Sequence, residues 1–261
     1  MKRIALIASG LLAAQGACAG VYVEMVDHNI ATGSTELKQK MYVQNGSGRF
    51  VDPEGKTSLI KNDTMYIIDD SDKTYIVFDK ATMQAVAQKI SDAMEKMKEQ
   101  MAKLPPEQRA QMEQMMGPAM GMQGKPRTVD VAATGKSDNV NGRACKVWDV
   151  TRDGKLDEQL CVASYAILPG KENFQQVFAS FSKIFEDMAK SVPMLSGMMS
   201  NEFDALAKVG GFPVRSRAYE NGKLGGVETL VKDWREEAIP ASMFEVPTGY
   251  KQKQLPMGPG Q

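Results

Sequence analysis

Three sets of residues in this chain have types and spacings that could do chemistry: the pair Cys145 and Cys161, several closely spaced methionines, and a row of phenylalanines. Cys145 to Arg152 alternates like a strand, Asp153-Gly154 is a hairpin signal, and Leu156 to Ala163 reads as the returning strand. With one extra residue bulged at the turn, Cys145 is expected directly opposite Cys161, and an oxidising compartment would join them. Closing that loop removes unfolded-state entropy worth roughly 3 kcal/mol. The pair forms no Cys-x-x-Cys and has no activating neighbour in sequence, which favours a structural staple over a redox role.

Nineteen methionines are present. Met94, Met97 and Met101, then Met112, Met115, Met116, Met120 and Met122, offer thioether sulfurs that suit Cu(I). The same spacing of three and four is also what a buried helical stripe requires. Phe174, Phe178, Phe181 and Phe185, interleaved with Val177, Ile184 and Met188, repeat at helical spacing. That face either fills a core or walls a cavity for a lipid or other amphipathic ligand. A purely structural or protein-interaction module of the cell envelope is the remaining reading.

Catalytic constellations are missing by inventory. His28 is the sole histidine, and there is no Gly-x-Ser-x-Gly, no zinc-ligand spacing and no phosphate-cradling glycine loop. A non-enzymatic protein without a cofactor is expected, with His28 read as a surface residue at the end of the first strand.

The elements that must position these residues begin with a leader. Lys2-Arg3, the apolar run Ile4 to Ala14, and Ala17-Cys18-Ala19 form a secretory signal peptide over residues 1–19. Its apolar run is too short to span a bilayer, and nothing later has the roughly 20 apolar residues a spanning helix needs. Cys18 raises lipid anchoring as an alternative, but Gln15 stands where a lipoprotein peptidase prefers a branched apolar residue. A periplasmic location is therefore expected. The chain carries 32 basic and 32 acidic residues without a long run of either sign, so it has no electrostatic footprint for nucleic acid.

From Val21 to Phe78 the pattern is six short strands punctuated by turns such as Gly46-Ser47-Gly48 and Asn62-Asp63, an antiparallel meander. Met83, Val86, Ala87, Ile90, Met94, Met97, Met101 and Leu104 then line one face of a helix that Pro105-Pro106 stops. A second helix from Pro106 completes a Met-rich hairpin over residues 81–123, expected as an excrescence whose removal would leave the β-domain folded. Arg127 to Ala163 is β again. After Pro169-Gly170 comes the Phe-rich helix, then a short apolar helix around Glu202 to Lys208, a hairpin turning at Asn221-Gly222, and a closing segment from Ile239 to Tyr250. Residues 251–261 are rich in Pro, Gly and Gln and read as a disordered tail, so that residues 20–250 form one domain.

Met65-Tyr66-Ile67-Ile68-Asp69-Asp70 with Lys73 to Val77, the Leu104 to Met112 segment, Asn141 to Trp148, and Phe244 to Tyr250 together resemble the exported domain of unknown function 4412 family, DUF4412. That family is in turn similar in strand order to the periplasmic lipoprotein carriers, although the Met-rich hairpin departs from their pattern. The resemblance implies an α+β fold: an antiparallel sheet curved as an open half-barrel, covered by the Phe-rich helix. It also implies a concave cavity suited to acyl chains, without implying an activity.

Overall fold

A computed structural model describes residues 19–105, 108, 128–191 and 208–254, leaving aside the side chains of residues 94, 97, 98, 188, 189 and 191. The signal peptide, the second helix of the Met-rich segment and the helix expected at Glu202 lie outside the described residues, apart from isolated positions at their ends.

Alternation of β-branched and polar residues produces β1 (Gly20–Asn29), β2 (Thr35–Gln44), β3 (Ser47–Val51), β4 (Lys56–Lys61), β5 (Thr64–Asp69) and β6 (Thr74–Phe78). Each pairs antiparallel with the next, as short turns require. The turn between β2 and β3 is Asn45-Gly46, both at positive φ, so Ser47 and Gly48 already belong to the strand rather than to the turn. Gly48 is needed there for another reason. A Cβ on it would lie 2.9 Å from Val177 Cγ1, so its absence lets a helix approach the sheet.

Helix α1 (Lys80–Ala102) follows, capped by the Asp79 carboxylate, which accepts a 2.7 Å bond from the Thr82 N–H. The chain re-enters the sheet as β7 (Val129–Val140), β8 (Arg143–Arg152) and β9 (Lys155–Ser164). Helix α2 (Lys171–Ser191) comes next, then β10 (Gly211–Glu220), β11 (Lys223–Glu237) and the two-residue β12 (Lys251–Gln252). The strands form one open sheet in the order β12-β6-β5-β4-β3-β2-β1-β11-β10-β9-β8-β7, antiparallel except where β12 runs parallel to β6. The tail expected to be disordered from residue 251 thus begins with a strand, held by the Lys251 and Lys253 N–H groups on the Lys73 and Tyr75 carbonyls.

This order bears on residues 81–123, read from the sequence as a helical hairpin inserted between strands. β6 and β7 stand ten strand intervals apart. At a spacing near 4.8 Å that is roughly 48 Å along the sheet. The segment is therefore the connection that carries the chain from one side of the sheet to the other, and α1 lies against α2 and β6 on the way.

Alternate residues feed separate cores. Under α2 lie Val21, Val23, Met41, Val43, Ile60, Val147, Val231 and Trp234, with Phe174, Val177 and Ile184 descending from the helix. On the other side of the meander Leu59 and Ile68 are covered by Ile239 and Phe244 of the closing segment. Leu59 and Ile60 are neighbours in β4 that enter different cores, the signature of a strand covered on both faces. A third, smaller cluster joins Val131, Val150, Leu160 and Val162 in β7 to β9.

Candidate functional site

Helix α2 is fixed across β2 to β5 at two points. Near its start Asn173 accepts from the Asn45 N–H at 2.9 Å and donates to the Ala19 carbonyl at 3.3 Å. Farther along the helix, Lys183 pairs with Asp63 in the turn between β4 and β5, holding the Asp63 carboxyl below its usual range through that hydrogen bond.

The four phenylalanines read as one wall are divided by this placement. Phe174 is buried, stacked on Trp234 at 4.6 Å between ring centroids and edge-on to Phe212 at 5.5 Å. Trp234 donates its indole N–H to the Pro169 carbonyl at 3.1 Å, which satisfies the polar atom of an otherwise apolar cluster. Phe181 and Phe185 touch at 4.4 Å and remain half-buried, while Phe178 is 40% exposed. Val177 and Ile184 are buried with Phe174. The helix thus docks along the line Phe174, Val177 and Ile184, with Phe181 packed against the same core, and turns Phe178 outward on its flank. Next to α2, α1 buries Met83 and half-buries Val86, Ala87 and Ile90.

Cys145 and Cys161 form the expected disulfide, with Cα atoms 5.3 Å apart and both residues buried in the core under α2. The register differs from direct opposition. Arg152 faces Lys155 at the turn, but a bulge beyond Thr151 shifts the ladder so that Cys161 faces Val147. The bridge is therefore diagonal, two residues from the opposed pair. A bulge adds a residue on one strand, and its position is invisible in an alternating pattern.

Of the methionines read as metal ligands, Met94 and Met97 lie in α1 with side chains outside the described residues, and Met101 is half-buried at its end. Met112, Met115, Met116, Met120 and Met122 lie outside the described residues. Among the described residues no group of three His, Cys, Asp or Glu side chains could hold a metal ion. Nor is any helix among them long and apolar enough to cross a membrane.

A polar cluster at the β1, β10 and β11 positions was missed by sequence reasoning. Glu228 is buried and accepts from Arg217 Nε at 2.6 Å, with His28 Nδ1 at 3.0 Å and Arg215 Nε at 3.9 Å. Buried Arg215 also donates to Asp138 at 2.8 Å. Burial by itself would raise the Glu228 carboxyl, but hydrogen bonds from Arg217 and His28 and the charges of both arginines hold it below its ordinary value. His28 is consequently a half-buried partner rather than a bare surface residue. Only the alternation Arg215-Ser216-Arg217 opposite Glu228 could have hinted at this, and only once the register was known.

The family model described as a domain of unknown function, DUF4412, matches residues 81–250, from the start of α1 to the closing segment. No curated protein is similar to the chain. Among the solved structures that align with it are two of low identity. One is an uncharacterised conserved protein from Thermus thermophilus, 8% identical, covering 90% of this chain and 89% of that one at a TM-score of 0.42. The other is the MucA/MucB complex of Pseudomonas aeruginosa, 11% identical, covering 89% of this chain and 56% of that one at a TM-score of 0.33.

Proposed function

The chain belongs to the DUF4412 family, and for this member we propose a non-enzymatic binding role in the bacterial periplasm, holding an acyl chain or another amphipathic ligand against α2. In this reading the twelve-stranded sheet curls as an open half-barrel around the helix. The secretory leader read in residues 1–19 delivers the protein to the periplasm, where the Cys145–Cys161 bridge can form.

One observation carries the proposal: α2 spends only part of its apolar face on the sheet. Phe174, Val177 and Ile184 are buried, whereas Phe178 is 40% exposed and Phe181 and Phe185 are half-buried. Leaving Phe178 part-exposed on this flank forgoes some of the roughly 1.5–3 kcal/mol that full burial of such a side chain is worth. A ligand lying along that flank would recover it, and aromatic side chains offer the broad apolar contact an acyl chain needs.

Uptake of a fluorescent fatty acid tests the reading. Wild-type protein is expected to enhance the probe's emission saturably, and replacing Phe178 and Phe185 together by Ala is expected to weaken uptake about tenfold or more while the fold persists. Absence of saturable uptake by the wild type would overturn it.

A further inference from the structure

A second site lies over β7 to β9, on the side of those strands away from the disulfide. Along β8 and β9 the residues alternate: Cys145, Val147, Cys161 and Ala163 enter the core under α2, whereas Trp148 and Val162 turn the other way. There they border a pocket of about 440 Å³. Val162 is buried at its base, Trp148 and Val209 form half-buried walls, and Ile167, 56% exposed, stands at the edge. Ile167 is the most exposed large apolar residue among those described. The single-turn helix Tyr165–Ile167, fixed by the Ser164 hydroxyl on the Ala166 N–H, puts it there.

Charge fixes the kind of ligand. Lys146 is the sole ionisable side chain on the lining apart from the bridged Cys145, and it makes no ion pair or side-chain hydrogen bond among the described residues. An apolar concavity of a few hundred Å³ with one unpaired cation at its rim matches the general form of a small-molecule site. The geometry points to a binding site for a small monocarboxylate with an aromatic or branched apolar body, seated against Trp148, Val162 and Ile167 with its carboxylate on Lys146 Nζ. This site is independent of the face proposed above, since the sheet separates the two.

The test uses 4-phenylbutyrate, with its neutral amide as the charge control, followed by tryptophan emission. The chain has two tryptophans, and Trp234 is buried beneath α2, so the change expected at the pocket belongs to Trp148 and is lost in Trp148→Phe. The carboxylate is expected to bind saturably and at least tenfold more tightly than the amide. Lys146→Met, which keeps the aliphatic stem, is expected to reduce the carboxylate to the affinity of the amide. Ala144→Phe, at an exposed lining position, is expected to fill the pocket and abolish both. Equal binding of acid and amide, unchanged binding in Lys146→Met, or no saturable change in the wild type would each overturn the assignment. Phe178→Ala leaves this binding unchanged, so failure here is distinguishable from failure of the fatty-acid reading.

Discussion

Glu228 is the residue whose replacement should be felt most sharply at the polar end of the sheet. Its carboxylate is buried between Arg217, His28 and Arg215, and Glu228→Gln leaves the two arginines without their common partner. Removing one member of a buried pair typically costs about 3–5 kcal/mol, so chemical denaturation at neutral pH should show a loss of that order. The folded state holds this carboxyl below its unfolded value. Its stabilisation is therefore complete above the ordinary carboxylate range and falls away as pH drops through the folded value. The gap between wild type and Glu228→Gln should accordingly narrow in acid, a trend that denaturation at a series of pH values would reveal. The phenylalanines on α2 make a second residue-scale contrast. Phe174→Ala empties a close-packed aromatic cluster and should cost about 3–5 kcal/mol. Phe178→Ala, at a position 40% exposed, should cost about 1 kcal/mol or less on the same measurement. Similar losses for the two would mean that α2 is docked by a different face.

At the scale of elements, the β8–β9 hairpin and the long connection carry separate consequences. Replacing Cys145 and Cys161 together by Ala removes a 16-residue cross-link, and by chain entropy should lower stability by roughly 3 kcal/mol without changing the far-ultraviolet spectrum, because the hairpin is also held by its neighbours β7 and β10. The connection behaves differently from its sequence impression. Deleting residues 81–123 and joining the flanks by a short Gly/Ser linker should abolish the cooperative melt. β6 and β7 are ten strand intervals apart, and a flexible linker reaches only about 5–6 Å times the square root of its length. A cooperative melt in that deletion would show instead that the two edges approach each other closely.

Individual elements were legible because each rests on a local cause. The six strands of the meander follow from alternation and turn chemistry, and α1 from the helical spacing of Met83, Val86, Ala87 and Ile90. α2 is found by its Phe spacing, and the β10–β11 turn by Asn221-Gly222, both at positive φ. What remained illegible was non-local. Periodicity assigned all four phenylalanines to one stripe, but which edge of that stripe meets the sheet depends on the close approach of Val177 to Gly48, two residues 129 positions apart. The diagonal disulfide depends on a bulge, the Glu228 cluster on the register of three strands, and the place of the Met-rich segment on a strand order no single hairpin reveals.

For the whole molecule, twelve strands in a single open sheet present two separate faces: one covered by α2 with Phe178 exposed on its flank, the other bearing the pocket beside Trp148. A sheet of this size flattens, splits or curls, and a central helix anchored at the β2–β3 and β4–β5 turns favours curling around it. The proposed role rests on the first face. Native mass spectrometry of the protein purified from its own periplasm tests it most directly. The account predicts a population heavier than the bare chain by the mass of one acyl-bearing molecule, released on gentle activation and depleted in the Phe178→Ala, Phe185→Ala double variant. A single population at the mass of the disulfide-bonded chain alone, in wild type and variant alike, would contradict it.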